Sequence, residues 1–139
     1  MKARGRPDAA QYRITRSAGL RAKSVDALRQ ILAAGLPIVF IVPVYTYWWT
    51  NPVRRTGDIR LPLPFDTTQG KHAMCIVGYE DDPSVPGGGY FLVRNSWGAG
   101  WASEHALPGY CRLPYRYMEQ YATVAYTFWL TVQNKAMMA

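Results

Sequence analysis

Cysteine is nearly absent from this 139-residue chain, which holds only Cys75 and Cys111. Two cysteines are too few for a disulfide scaffold. Histidine is as scarce, with His72 and His105 alone. No CxxC or HExxH spacing occurs, so neither a metal nor another cofactor is expected. Acidic residues are short too: nine Asp+Glu stand against sixteen Lys+Arg, a formal net charge of +7. Such a balance raises nucleic acid, an anionic membrane or an acidic partner as candidates. The arginines are scattered, however, with Arg4, Arg6, Arg13, Arg16 and Arg21 the densest set, and no basic run interleaves with a stacking platform. A solvated basic surface is the expectation, without nucleic-acid binding. Long hydrophobic runs are missing as well. Residues 36–49 are broken by Pro37 and Pro43 and are too short to span a bilayer. No apolar stretch follows the basic start at Met1, so no signal peptide is visible and the chain reads as soluble. The compartment stays open.

What is present argues for a packed fold. Hydrophobic residues make up 49% and aromatic residues 14%, enough for one domain with a core. Residues 1–10 read as a basic N-terminal arm and residues 11–139 as the domain. Gln11 to Leu20 reads as a short strand. Ser24 offers an N-cap, Val25, Leu28, Ile31 and Leu32 share a helical face, and Gly35 with Pro37 supplies the stop. The β-branched run Ile38 to Val42 predicts a strand buried on both faces. Asn51 to Gln69 carries loop chemistry, including Gly57 and three prolines. His72 to Tyr79 and Tyr90 to Arg94 predict a hairpin across the Pro83–Gly89 turn. Tyr110 to Leu113 reads as a short strand. The last is the alternation Val124, Tyr126, Phe128, Leu130, Val132. The sum is an α+β unit, a mostly antiparallel sheet or half-barrel with one main helix.

The chemistry concentrates in Gly70-Lys71-His72-Ala73-Met74 and Arg94-Asn95-Ser96-Trp97-Gly98. A lone histidine is usually a packing or surface residue. His72 differs because the predicted hairpin brings it a partner. An imidazole base needs a third group to fix its tautomer, and the Asn95 side-chain oxygen can do so while Trp97 shields the bond from water. The aromatic group Tyr45, Tyr47, Trp48 and Trp49 could form a binding surface, but packing is the expectation.

These segments resemble the papain-like cysteine peptidase family. The resemblance rests on His72-Ala73 with Val77-Gly78-Tyr79-Glu80-Asp81, on Phe91 through Gly98, on Trp101 and on Gly109-Tyr110. It extends from about Tyr12 to Val132. It implies the β-rich right-hand domain of the papain fold, with His72 as the base of a thiolate–imidazolium pair and Asn95 as its orienter. Trp97 would cover that contact, Ser96 beside it would support the site, Trp101 would support the cleft, and the Lys71 backbone would help hold an extended substrate.

The departures carry as much information. The family nucleophile lies roughly 130–150 residues before its His and Asn, whereas 71 residues precede His72. Cys75 is three residues from His72, an odd step that turns the two to opposite faces of a strand. Cys111 falls at a buried strand position. Both cysteines are therefore expected to be structural. Lys71 stands where the family has a small or amide residue, and its ammonium would oppose an imidazolium nearby. Seven residues separate Trp101 from Gly109, more than the family's spacing, and His105 in that longer loop is expected in solvent.

The expectation is thus a C-terminal half of a papain-like cysteine peptidase that lacks the nucleophile and is inactive alone. It would act on a peptide or protein substrate once joined by an N-terminal half or complementing chain, or would form a homo-oligomer. The alternative is a non-catalytic pseudopeptidase or peptide-binding module.

Overall fold

A computed structural model describes residues 11–132. The basic arm expected at residues 1–10 lies outside them. Six strands form one open antiparallel sheet: β1 (Tyr12–Gly19), β2 (Ile38–Tyr45), β3 (Thr68–Asp81), β4 (Gly89–Arg94), β5 (Tyr110–Pro114) and β6 (Val124–Val132). Their order across the sheet is β1-β6-β2-β3-β4-β5. The expected α+β class and antiparallel sheet are therefore present.

The predicted helix is α1 (Val25–Ala33), and the Ser24 hydroxyl accepts the Ala27 N–H at its start. Leu28 is its fully buried residue. Gly35 follows with φ +84°, a conformation that a Cβ would strain, and ends the helix as expected. Two short helices, α2 (Val53–Thr56) and α3 (Tyr115–Tyr121), join α1, which is the longest and so the main helix expected. A 3-10 turn spans Thr46–Trp49. Helix α3 starts from Pro114, with no side-chain cap to announce it, and buries Tyr115, Tyr117 and Met118. Arg29 of α1 and the Tyr115 hydroxyl both reach Asp81 at the end of β3, at 2.8 and 2.7 Å, tying α1, β3 and α3 together.

One face of the sheet holds the core. Ile38, Phe40, Val42 and Val44 of β2 are buried together with Met74 and Ile76 of β3, Phe91 and Val93 of β4, and Cys111 and Leu113 of β5. The expected burial of β2 on both faces is not found, because its own outer side lacks a covering layer among the described residues. Val39 is 37% exposed on that side, and Val77 of β3 is 44% exposed. Strand β6 shows the same polarity in reverse. Its small residues Ala125 and Thr127 face inward, while Tyr126 and Leu130 of the predicted alternation are exposed. The outer face of this sheet is therefore markedly apolar.

Candidate active site

The β3–β4 hairpin brings the site together. Its register pairs Cys75 with Arg94, so Asn95, immediately beyond β4, comes level with Met74, two residues along β3 from His72. His72 lies opposite Val42 of β2, which fixes its position from the other side. The two side chains meet with His72 Nε2 2.9 Å from Asn95 Oδ1. The Ser96 N–H donates to the same Oδ1 at 2.7 Å, so this atom is an acceptor twice over. His72 Nε2 therefore carries the proton, and the lone pair of the neutral ring is on Nδ1. That is the nitrogen a base uses. Asn95 is 7% exposed, and its Nδ2 has no hydrogen-bond partner among the described residues.

Aromatic rings wall the pair. Trp97 stacks on His72 with ring centroids 4.8 Å apart and planes 19° from parallel. Trp49 stacks on the far side of Trp97, also at 4.8 Å. Trp101 meets Trp97 edge-on at 5.2 Å, and its indole N–H donates to the Trp48 carbonyl at 2.8 Å. The four tryptophans act in two ways. Trp48 and Trp101 are buried and hold the turn at residues 46–49 against the site, whereas Trp49, 43% exposed, extends the stack on His72 toward solvent. The sequence predicts packing for the aromatic run at 45–49 and does not separate Trp49. The run had no period that marked one tryptophan as outward.

The remaining candidates fall elsewhere. Lys71 is exposed and alternates with His72 along the strand, so the pleat turns the ammonium to the other face. Ser96 contributes its backbone, its residue being exposed. Cys75 is half-buried on the outer face beside Ala73 and borders an open groove of about 500 Å³ that Arg94, Asn95 and Ser96 also line. Burial pushes the Cys75 thiol up, partly offset by the Arg94 charge. Cys111 is fully buried, and desolvation pushes its thiol far up. Neither environment favours a thiolate. On exposure to iodoacetamide, intact-mass spectrometry is expected to find Cys111 unmodified until denaturant is added and Cys75 slower than a free thiol. Rapid alkylation of Cys111 in the native chain would contradict its burial.

His105 is not in solvent, contrary to expectation. It is 9% exposed, and its Nδ1 accepts the Leu107 N–H at 2.9 Å. The long loop folds onto α2, where the Ala102 N–H donates to the Arg54 carbonyl and the Glu104 N–H to that of Arg55. Those bonds draw the intervening histidine under cover.

The arrangement can take a proton at His72 Nδ1, with Asn95 holding the ring and Trp97 excluding water. Comparison with known proteins finds the same segments. The family profile described as papain family cysteine protease matches residues 2–126. An uncharacterized peptidase C1-like protein of Acanthamoeba polyphaga mimivirus is 31% identical over 106 residues, which cover 76% of this chain and 31% of that protein. A cathepsin B-like protein of Giardia intestinalis is 35% identical over 101 residues, covering 68% and 28%. Among solved structures, xylellain, a cysteine protease from Xylella fastidiosa, superposes with a TM-score of 0.68 at 34% identity, over 87% of this chain and 42% of that one. The ragweed pollen cysteine protease Amb a 11, in its proform, shares the fold with a TM-score of 0.60 at 19% identity. The chain thus spans about a third of the length of these sequence relatives.

Proposed function

The chain belongs to the papain family of cysteine proteases, and from that premise we propose that it supplies the base and orienting groups of a cysteine peptidase site whose nucleophile comes from outside these 139 residues. The observation that carries this reading is the 2.9 Å contact of His72 Nε2 with Asn95 Oδ1 under the stacked Trp97 ring. It leaves Nδ1 to receive a thiol proton. The resulting thiolate would attack the scissile carbonyl of a peptide or protein, and the imidazolium would return the proton to the leaving amine. Water, activated by the same imidazole, would then release the acyl group.

The partner would be a cysteine-bearing segment that reaches His72 on the core side of β3 and also covers the outer sheet face. Exposed Val39, Val77 and Tyr126 support this, as does the groove beside Cys75 and Asn95. A second copy of the chain on that face is the homo-oligomeric alternative. A non-catalytic peptide-binding role is favoured by one observation, that neither thiol is set to form a thiolate beside His72.

A thiol-reactive covalent peptide probe separates these readings. Labelling is expected only when the chain is mixed with a family segment carrying its cysteine, on that segment, with hydrophobic-dye fluorescence falling as the outer face is covered. Labelling of the chain alone, lost in Cys75→Ser or Cys111→Ser, would overturn the proposal. No labelling and no hydrolysis in a mixture that demonstrably associates would favour the peptide-binding role.

A further inference from the structure

At the end away from β5 the sheet narrows to a two-stranded ribbon. Strand β6 pairs with β2 only over residues 124–127, whereas it pairs with β1 over residues 126–132. Beyond Thr127, β1 and β6 therefore run on together with no third strand beside them among the described residues. The far edge of β1 is open along its whole length, because β1 is the last strand of the sheet. Outside its ladder with β6, no backbone group of Tyr12–Gly19 is bonded elsewhere among the described residues. Two strands alone are marginal in water, and an open row of N–H and C=O groups is a template for a further strand.

The ribbon sorts its side chains by face. Thr127 is buried on the core side, opposite Ala18. Tyr126 and Leu130, an odd number of steps away, are exposed on the outer side, and Ile14 stands across from Leu130. A bulge between Ile14 and Arg16 leaves Thr15 without a partner. Arg13 and Arg16 are three residues apart, and a regular strand would turn them to opposite faces. The extra residue re-phases the strand, so both come to the same side as Thr127. There the Arg16 guanidinium lies 3.8 Å over the Trp129 ring. Both arginines are exposed, and neither has an acidic partner among the described residues. Neither β1 nor β6 contains an acidic residue of its own.

We propose that the free edge of β1 binds an extended acidic segment of a partner protein, added to the sheet as a seventh strand. The backbone edge supplies the hydrogen bonds, and the two faces supply the selection. Side chains of an added strand alternate, so the segment that fits has apolar residues at every second position, beside Tyr12 and Ile14. Asp or Glu stands between them, beside Arg13 and Arg16. The same charges disfavour a second copy at this edge. Twin β1 strands would bring the arginine-bearing face of one against that of the other, and like charges across strands repel. The formal net charge of +7 also favours the approach of an acidic segment. This edge needs no thiol and is independent of the reading of the His72 site.

The probe is a fluorescein-labelled ten-residue peptide that alternates valine and glutamate, titrated into the full 139-residue chain at neutral pH. Saturable binding by fluorescence anisotropy is expected below about 1 mM. The same ten residues in two blocks, five valines and then five glutamates, should bind at least fivefold more weakly, and a valine–lysine counterpart should not bind. In the nitrogen-15-labelled chain saturated with the alternating peptide, the β1 amides that face the free edge should exchange with deuterium at least tenfold more slowly. Arg13→Glu combined with Arg16→Glu should lose the glutamate peptide and take up the lysine one. If that double variant loses its folded spectrum, Arg13→Glu alone decides, with binding at least threefold weaker. Equal binding of the blocked or the lysine peptide, or β1 exchange unchanged at saturation, would mean plain charge attraction and overturn the proposal. So would the absence of saturable binding, or a dimer of the chain alone with its β1 edge amides already protected, which would assign this edge to a second copy.

Discussion

If the proposed assembly with a cysteine-bearing segment forms a peptidase, His72→Gln is expected to lower its kcat/KM by about 10²–10⁴-fold, the usual contribution of a positioned general base. Glutamine keeps a polar side chain against Asn95 but cannot take the thiol proton. Asn95→Ala removes the acceptor for His72 Nε2, not the base itself. A single net hydrogen bond of about 0.5–1.5 kcal/mol corresponds to roughly two- to tenfold, so a smaller loss is expected there. The two residues serve one proton transfer. Once the imidazole is gone its orienter has nothing to orient, and the double variant should be no slower than His72→Gln. Steady-state kinetics on the four proteins, each assembled with the same cysteine-bearing segment, measures this. Losses that simply multiply would show that Asn95 acts through something other than the His72 ring. A His72→Gln protein as active as the parent would remove His72 from the mechanism.

The pairing of His72 with Asn95 was legible because a hairpin is a local object. Two apolar runs separated by a Pro/Gly turn fix which residues come level, and the ends of the runs then meet. Helix α1 was legible for a similar reason, since Ser24 caps it and Gly35 stops it. Helix α3 carried no such punctuation. Pro114 offers no side-chain cap, and the i,i+4 pair Tyr117 and Tyr121 covers a single turn, too short a pattern to mark a helix. The polarity of the sheet was hidden by its composition: Val39 and Tyr126 are apolar yet exposed, so a hydrophobic run gave no sign that one face lacks cover. The loop holding His105 failed for another reason. It is anchored by backbone groups, Ala102 N–H to Arg54 O and Glu104 N–H to Arg55 O, and backbone bonds between distant segments leave no pattern in side-chain identity.

Trp48→Ala is expected to produce the largest stability loss near the site, about 3–5 kcal/mol in urea-unfolding free energy. Trp48 is fully buried where three other rings converge: Trp101 stacked at 6.2 Å, Trp97 edge-on at 6.3 Å and Tyr117 edge-on at 5.9 Å. Truncation opens a cavity that Tyr117 cannot follow into, because its hydroxyl is tied to the Pro43 carbonyl at 2.6 Å. Trp101 is held less by its ring than by its N–H, whose acceptor, the Trp48 carbonyl, survives the change. The structural damage should therefore concentrate on Trp97, and through it on the cover over His72. Trp49→Ala provides the contrast. It removes one partly exposed stacking partner of Trp97 and should cost only about 1 kcal/mol, the scale of an aromatic pair. Trp48→Phe, which keeps a ring in the space, should fall between the two. Equal unfolding free energies for Trp48→Ala and Trp49→Ala would mean that the aromatic cluster is not built around Trp48. A large loss for Trp48→Ala, with the His72 resonances of the folded fraction broadened or shifted, would establish that the same packing that stabilises the fold also holds the shield on the imidazole.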